Sequence, residues 1–177
     1  MRLVRADVTN RAFDKLEAQW RSDSEQYGED FRDFAAPYVN YARAIAGEDP
    51  IHPTYGIFLL QNDEKFECLS HCNVARLPRT SGETLRVNWV LLAPQYEYDE
   101  TPSNSLVHIF VGLFRETIRL SRGDIIEDFR SEHIKLRLAG LADKMLLQGV
   151  VATLIEDTDQ FSEVAFRGNW LQISNRF

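Results

Sequence analysis

The sequence predicts a mixed α/β (α+β) fold, in which a central sheet of six or seven strands carries helices on both faces. Apolar residues alternate with polar ones over short segments, which is typical of strands, and recur at three- and four-residue spacing over longer segments, which is typical of helices. The segment Leu85–Leu92 is apolar on both faces and therefore predicts a central strand that is covered on each side.

The first third of the chain predicts one strand and two helices. Alternation over residues 2–8 indicates a half-buried strand, and Thr9 or Asn10 can cap the helix that follows, because each carries a short side-chain acceptor. The second helix should end at Gly47, and Pro37 inside it predicts a kink or a division into two short helices. The apolar stripes of the two helices are Phe13, Leu16 and Trp20, and then Phe31, Phe34, Ala35, Tyr38, Tyr41, Ala42 and Ile45.

The centre of the chain predicts three consecutive strands. They are Tyr55–Leu60, Phe66–Leu77 and Leu85–Leu92, joined by turn residues, so an antiparallel meander is the natural arrangement.

The rest of the chain alternates between helix and strand. Residues 93–105 are polar and irregular, and Ser103 or Asn104 can cap a helix that is apolar nearly all round and is therefore expected to be deeply buried. A strand over 133–139, a helix over 142–155 and one or two strands over 161–174 complete the order. Without a linker or an internal repeat, residues 1–177 are expected to form a single domain.

The net charge and the apolar content of the sequence limit the kinds of binding partner that we expect. The net charge of −7 has the wrong sign for a protein that holds a phosphate backbone, so nucleic acid is not expected as a partner. Apolar runs are far shorter than the roughly 20 residues that span a bilayer, so no membrane partner is expected. Charges at the N-terminus interrupt what would be the apolar part of a signal peptide, and a cytoplasmic location is therefore expected.

Cys68, His71 and Cys72 invite a comparison with metal sites. If they lie on a strand, the two cysteines are about 13 Å apart and His71 points to the opposite face. That spacing prevents both a disulfide and a shared zinc ion. We therefore expect two free, structural thiols and no metal.

The order of strand, two helices, three meandering strands, helix, strand, helix and strand resembles the GNAT superfamily of acyl-CoA-dependent N-acyltransferases over essentially the whole chain. The segment Leu85–Tyr96, which reads LRVNWVLLAPQY, resembles the fourth strand of that family running into its cofactor turn. Residues 142–150, with Gly149, resemble its last helix, and residues 166–171 resemble its final strand.

The resemblance implies a place for an acyl-CoA. In the family, two strands splay apart after the fourth, and their free backbone groups bind the pantetheine arm, which here implies Val90, Leu91 and Leu92. A glycine-rich loop then wraps the pyrophosphate at a helix start. This chain departs from the family there: residues 95–105 contain no glycine, one proline and three carboxylates, and only Ser103, Asn104 and Ser105 offer hydroxyl and N–H groups.

The family's general acid is also replaced. A tyrosine of the last helix and an asparagine at its entrance correspond by pattern to Leu146 and Ala139, which cannot donate a proton. Tyr96, Tyr98 and His108 are the candidates to substitute for them. Packing of the two tyrosines over the sheet, and a hydrogen bond from His108 to a neighbour, are the alternative interpretation.

Two functions follow from the resemblance. The first is a divergent N-acyltransferase that moves an acetyl or acyl group from acetyl-CoA or another acyl-CoA to a small-molecule or peptide amine. The second is a non-catalytic GNAT-fold binding or assembly module that has lost CoA binding, whose partner is another protein or a second copy in a homodimer.

Overall fold

The computed structural model describes residues 1–78, 80–98, 104–138, 147–148, 151–152 and 160–176, without the side chain of Asn104. Seven strands in this part form one sheet in the order β1-β2-β3-β4-β5-β7-β6. The strands are β1 (Arg2–Ala6), β2 (Tyr55–Asn62), β3 (Lys65–Arg76), β4 (Glu83–Leu92), β5 (His133–Arg137), β6 (Phe161–Arg167) and β7 (Trp170–Asn175). The helices are α1 (Ala12–Gln26), α2 (Phe31–Ala46), α3 (Pro94–Tyr98) and α4 (Asn104–Ser121), with a 3₁₀ turn at Glu127–Phe129.

The sheet is mixed, as the sequence predicts. The pairs β1–β2, β5–β7 and β6–β7 are antiparallel, whereas β4 and β5 are parallel. The three central strands are neighbours in chain order, and β4 lies beside β5. A mixed α+β sheet of seven strands is therefore confirmed.

The chain divides into two compact units. The first comprises Met1–His71 with Val90–Leu113, and the second comprises Cys72–Trp89 with Phe114–Phe177. Whether the chain acts as one domain stays a prediction. None of the helices among the described residues has the length and apolar character that crossing a membrane requires.

The first unit begins with a turn that starts α1. The Asp7 carboxylate accepts hydrogen bonds from the N–H groups of Thr9 and Asn10, at 2.7 and 2.9 Å. The Asn10 side chain then accepts the N–H of Ala12 at 2.9 Å, which makes Asn10 rather than Thr9 the residue that satisfies the first helical turn. Phe13, Leu16 and Trp20 are buried, as predicted.

Packing of α1 against β3 depends on Trp20. Its side chain is fully buried, and its indole N–H donates to the Phe66 carbonyl at 2.9 Å. Phe31 and Phe34 of α2 meet the indole edge-on, with centroids 6.4 and 6.1 Å away. A large apolar group with its one polar atom satisfied thus joins two helices and a strand.

The structure corrects two expectations for α2. Pro37 lies inside one helix, so the division into two short helices is wrong. Tyr38 and Tyr41 are each 47% exposed and do not belong to the buried stripe. The buried positions are Phe31, Ala35, Val39, Ala42 and Ala46, of which Val39 and Ala46 lie outside the predicted stripe. Small residues at three- and four-residue spacing suit a closely packed face.

In the second unit, β4 and β5 pair over a short stretch. Thr84 to Val87 lie opposite His133 to Leu136. Leu85, Val87, Ile134 and Leu136 are at most 5% exposed, so the parallel register coincides with the centre of this unit's core.

Side chains fix the start of this parallel pair. A carboxylate oxygen of Glu132 accepts the N–H of Glu83 at 2.6 Å, and this bond lowers the pKa of Glu132. The two ring nitrogens of His133 lie 2.8 Å from the Ser174 hydroxyl and 2.7 Å from the Ser81 carbonyl. Gly82 has a φ of +84°, and a Cβ there would come within 2.5 Å of the Glu132 carboxylate, so this turn requires glycine.

Burial decreases along β4. Thr84, Leu85 and Val87 are buried, whereas every residue of 88–92 is only half-buried. The predicted burial of both faces of the strand is therefore observed only at its N-terminal end. Because an interior strand with a partly open end presents both backbone and side chains, this end is a candidate for ligand contact.

Two further expectations change in the structure. Residues 94–98 form the short helix α3 rather than an irregular segment. Helix α4 is not buried all round, because Val107 and Val111 are 41% and 43% exposed. Of the one or two strands expected over 161–174, the structure has two, β6 and β7, around a turn in which Gly168 has a φ of +60°. Most of the predicted helix over 142–155 lies outside the described residues, apart from short helical stretches at 147–148 and 151–152.

The burial gradient along β4 leads to a stability prediction. Leu85→Ala should lower the free energy of unfolding by about 2–5 kcal/mol, because it leaves a cavity at a fully buried position. Leu91→Ala, at the half-buried end of the same strand, should have less than half of that effect. Urea denaturation of the two variants measures the difference, and equal effects would contradict the gradient.

Candidate functional site

The candidate site lies in the first unit, where β4 ends and α3 begins. The N–H of Ala93 donates to the Glu67 carbonyl of β3 at 2.9 Å, which fixes the end of β4. The N–H of Tyr96 donates to the Ala93 carbonyl at 2.9 Å and forms the turn that begins α3. This turn brings the side chains of Gln95 and Tyr96 to the carboxylate of Glu67.

Glu67 is a buried carboxylate held by neutral donors. It is 5% exposed, and its Oε2 accepts the Tyr96 hydroxyl at 3.0 Å and the Gln95 amide at 3.1 Å. The amide of Asn62 is 3.5 Å from its Oε1. No ion pair with Glu67 occurs among the described residues. Among the described residues, the partners of this buried carboxylate are therefore neutral hydrogen-bond donors.

Tyr96 serves this carboxylate as a neutral donor. Burial raises the pKa of Tyr96 to about 12, and the negative charge of Glu67 acts in the same direction, while the hydrogen bond with Gln95 opposes them. The phenol therefore keeps its proton at neutral pH. A carboxylate of β3 and a protonated phenol of α3 are thus in hydrogen-bond contact beside the end of β4.

The other two catalytic candidates lie in different surroundings. The Tyr98 ring packs at 5.7 Å from that of Tyr27 and at 5.6 Å from that of Phe34, which supports the packing interpretation. Burial first, and then nearby carboxylates, raise the pKa of Tyr98. His108 is an exposed residue of α4. Of the three candidates, Tyr96 is the one that the structure joins to a buried acid.

The candidate acyl-CoA contacts stay predictions. Val90, Leu91 and Leu92 form the half-buried end of β4 and run directly into the Ala93–Glu67 hydrogen bond. Asn104 begins α4 and Ser105 is exposed in its first turn, whereas Ser103 lies outside the described residues.

Sequence reasoning missed Glu67, although a signal was present. Glu67 is the only charged residue in the stretch 66–72, which is otherwise mainly apolar, and strand alternation places it on the same face as Leu69 and His71. A carboxylate on a buried strand face needs donors, which is a reason to look for a site.

The positions of the two cysteines agree with a structural role, and the expected absence of a metal stays a prediction. Cys68 and Cys72 lie on β3, both are buried and neither belongs to a disulfide. The intervening His71 is also buried, and its ring lies edge-on to those of Tyr41 and Tyr55, at 5.4 and 6.4 Å. Within the described ranges, no three His, Cys, Asp or Glu side chains form a group that could hold a metal ion.

Comparison with known proteins finds similarity at the level of structure. No family model and no curated protein matches the chain. A Desulfovibrio desulfuricans protein assigned to the GNAT acetyltransferases is 15% identical, with a TM-score of 0.43, over 99% of this chain and 96% of its own. A GNAT family acetyltransferase from Staphylococcus aureus is 16% identical, with a TM-score of 0.36, over 67% and 81%. A mutant protein from Bacillus halodurans is 14% identical, with a TM-score of 0.41, over 94% and 98%.

The mixed sheet of seven strands is the type of sheet that the sequence predicts.

Removal of the Tyr96 hydroxyl tests the geometry of the site. The folded protein holds this phenol proton more tightly than the unfolded chain does, so the associated stability is present below about pH 10 and is lost as the pH rises toward about 12. Tyr96→Phe should therefore remove a phenolate absorbance step near pH 12. Tyr38→Phe, at an exposed tyrosine of α2, is the control and should retain that step. A step that persists in Tyr96→Phe would show that another tyrosine produces it.

Proposed function

We propose that the protein is a divergent acyl-CoA-dependent N-acyltransferase, with Glu67 as the general base and Tyr96 as the general acid. The observation that supports this proposal is the hydrogen bond of 3.0 Å between the half-buried Tyr96 and the buried Glu67, at the end of β4. The half-buried residues Val90, Leu91 and Leu92 would accept the pantetheine arm of the donor. Since acyl-CoA donors are intracellular metabolites, the proposal includes a cytoplasmic location.

Direct transfer of the acyl group from the thioester to an amine requires little catalysis by the protein. A thioester is already activated, so orientation of an amine beside its carbonyl supplies much of the rate. The amine nitrogen forms a bond to the carbonyl carbon, and the carbon–sulfur bond breaks. Glu67 takes the proton from the attacking amine, and Tyr96 gives its proton to the departing thiolate. Transfer of a proton from Glu67 to Tyr96 along their hydrogen bond restores both groups, and the products are an amide and a free thiol.

A specific observation favours a second function, that of a non-catalytic binding or assembly module. The carboxylate of Glu67 is already satisfied by side chains of its own chain, as in a structural cluster. Residues 95–105 contain no glycine and carry three carboxylates, so they would repel a pyrophosphate by about 0.3–1 kcal/mol per exposed charge. In this function the partner is another protein or a second copy, and light scattering of the purified protein would detect a homodimer.

Calorimetry and a thiol-release assay distinguish the two functions. With acetyl-CoA and longer acyl-CoAs, we expect saturable binding and release of CoA in the presence of an amine panel. Glu67→Gln should leave acyl-CoA affinity nearly unchanged and lower the transfer rate by about 10²–10⁴-fold, because it removes the base and keeps the shape. Glu97→Gln, at an exposed carboxylate of the short helix α3, is the matched control and should retain activity.

The absence of heat with every acyl-CoA at high micromolar concentration would remove the acyltransferase proposal and leave the binding module. Equal activity of Glu67→Gln and the native protein would retain acyl transfer but reject Glu67 as its base.

A further inference from the structure

A second region of the first unit carries a concentration of positive charge. A surface cavity of about 530 Å³ opens beside β1, the start of α1 and the β2–β3 turn. Its lining includes Arg2, Lys15 and Lys65, with Glu64 as the only acid. The cavity therefore has a local charge of +2, in a protein whose net charge is −7. Its volume lies in the range of small-molecule sites, roughly 300–1,000 Å³.

The arginine of this cavity is held in place by a neutral group. Arg2 and Gln61 are partners in the β1–β2 register, and the guanidinium donates to the Gln61 side-chain oxygen at 2.9 and 3.1 Å. Gln61 in turn donates to the Asp63 carbonyl at 2.8 Å. Because its partner is an amide and not a carboxylate, Arg2 is positioned while its positive charge stays uncompensated.

The two lysines are exposed on either side of the cavity. Lys15 lies in the second turn of α1, and Lys65 is the first residue of β3. Within the part of the chain that the structure describes, neither ammonium group takes part in an ion pair. Both are thus available to a ligand, and a lysine contributes a compact charge with three donors.

The start of α1 borders the same cavity. Asn10 and Ala12 line it, and α1 continues for 15 residues from Ala12. The first turn of α1 contains the carboxylate of Asp14, which offsets the partial positive charge of a helix start. The three side-chain cations therefore provide the positive charge of this cavity.

We propose that this cavity binds a small organic polyanion with two or more oxyanion groups, either phosphates or carboxylates. Lys15 and Lys65 each bind one oxyanion group, and Arg2, held by Gln61, contributes the third positive charge. The site differs from the proposed acyl-transfer site, because its lining contains no residue of β4 or α3 and does not include Glu67. A resident polyanion would also draw together α1, β1 and the β2–β3 turn, and would thereby stabilise the first unit.

Calorimetry of the full chain with tripolyphosphate and with citrate tests the proposal. We expect saturable binding of at least one anion that weakens as sodium chloride is raised. Binding of tripolyphosphate alone assigns phosphates, and binding of citrate alone assigns carboxylates. The double variant Lys15→Gln/Lys65→Gln should weaken binding about tenfold or more, because two charge-assisted contacts are removed. The control Lys135→Gln/Arg176→Gln removes the same net charge from the second unit and should bind within about twofold of the native protein.

Thermal unfolding provides an independent measurement. The anion should raise the Tm of the native protein and of the control, and should raise that of Lys15→Gln/Lys65→Gln much less. The rate of thiol release at a saturating acyl-CoA concentration should be the same in both double variants, which separates this site from the acyl-transfer proposal. The absence of saturable binding of either anion at about 1 mM, or an equal loss of affinity in the two double variants, would overturn the proposal.

Discussion

The rest of the structure depends on the parallel pairing of β4 with β5. Four residues of each strand are in register, and the Glu132 carboxylate and the His133 ring hold the end at which the pairing begins. Parallel strands cannot be joined by a tight turn, so the chain must leave β4 and return to β5 through a long connection. Helix α4 lies in that connection. The pairing with β5 covers Thr84 to Val87, and the residues of β4 beyond Val87 are only half-buried.

Hydrogen bonds to Glu67 hold the end of β4 and the short helix that follows it. Ala93 donates to the Glu67 carbonyl, and the short helix that follows returns a hydroxyl and an amide to the Glu67 carboxylate. Burial of a carboxylate is unfavourable unless donors compensate for the lost water. The same arrangement can stabilise the strand end or exchange protons with a substrate. The same hydrogen bonds occur in both proposed functions. The two functions differ in whether a substrate also contacts the Glu67 carboxylate.

Charge is distributed unevenly over the first unit. The segment that follows β4 is acidic and lacks glycine, whereas the cavity beside β1 is lined by three cations and one acid. The net charge of −7 for the whole sequence does not describe the local charge at either of these two places. Since exposed charges act over about one Debye length, roughly 8–10 Å in physiological salt, local clusters and not the total decide where an anion binds. An anionic ligand therefore meets favourable charge beside β1 and unfavourable charge after β4.

The sequence by itself predicted the type of sheet and the order of the first strand, the two helices and the three central strands. Apolar periodicity identified the interior strand and the stripe of α1, and Gly47 marked the end of α2, because these patterns follow from local geometry. Tertiary structure alone decided that Val39 and Ala46 of α2 are buried and that Tyr38 and Tyr41 are exposed. It also decided that Glu67, rather than a residue of the resembled motif, would partner Tyr96. That pairing joins positions 29 residues apart, and a single strand pattern carries no information about which distant donors will satisfy a buried acid.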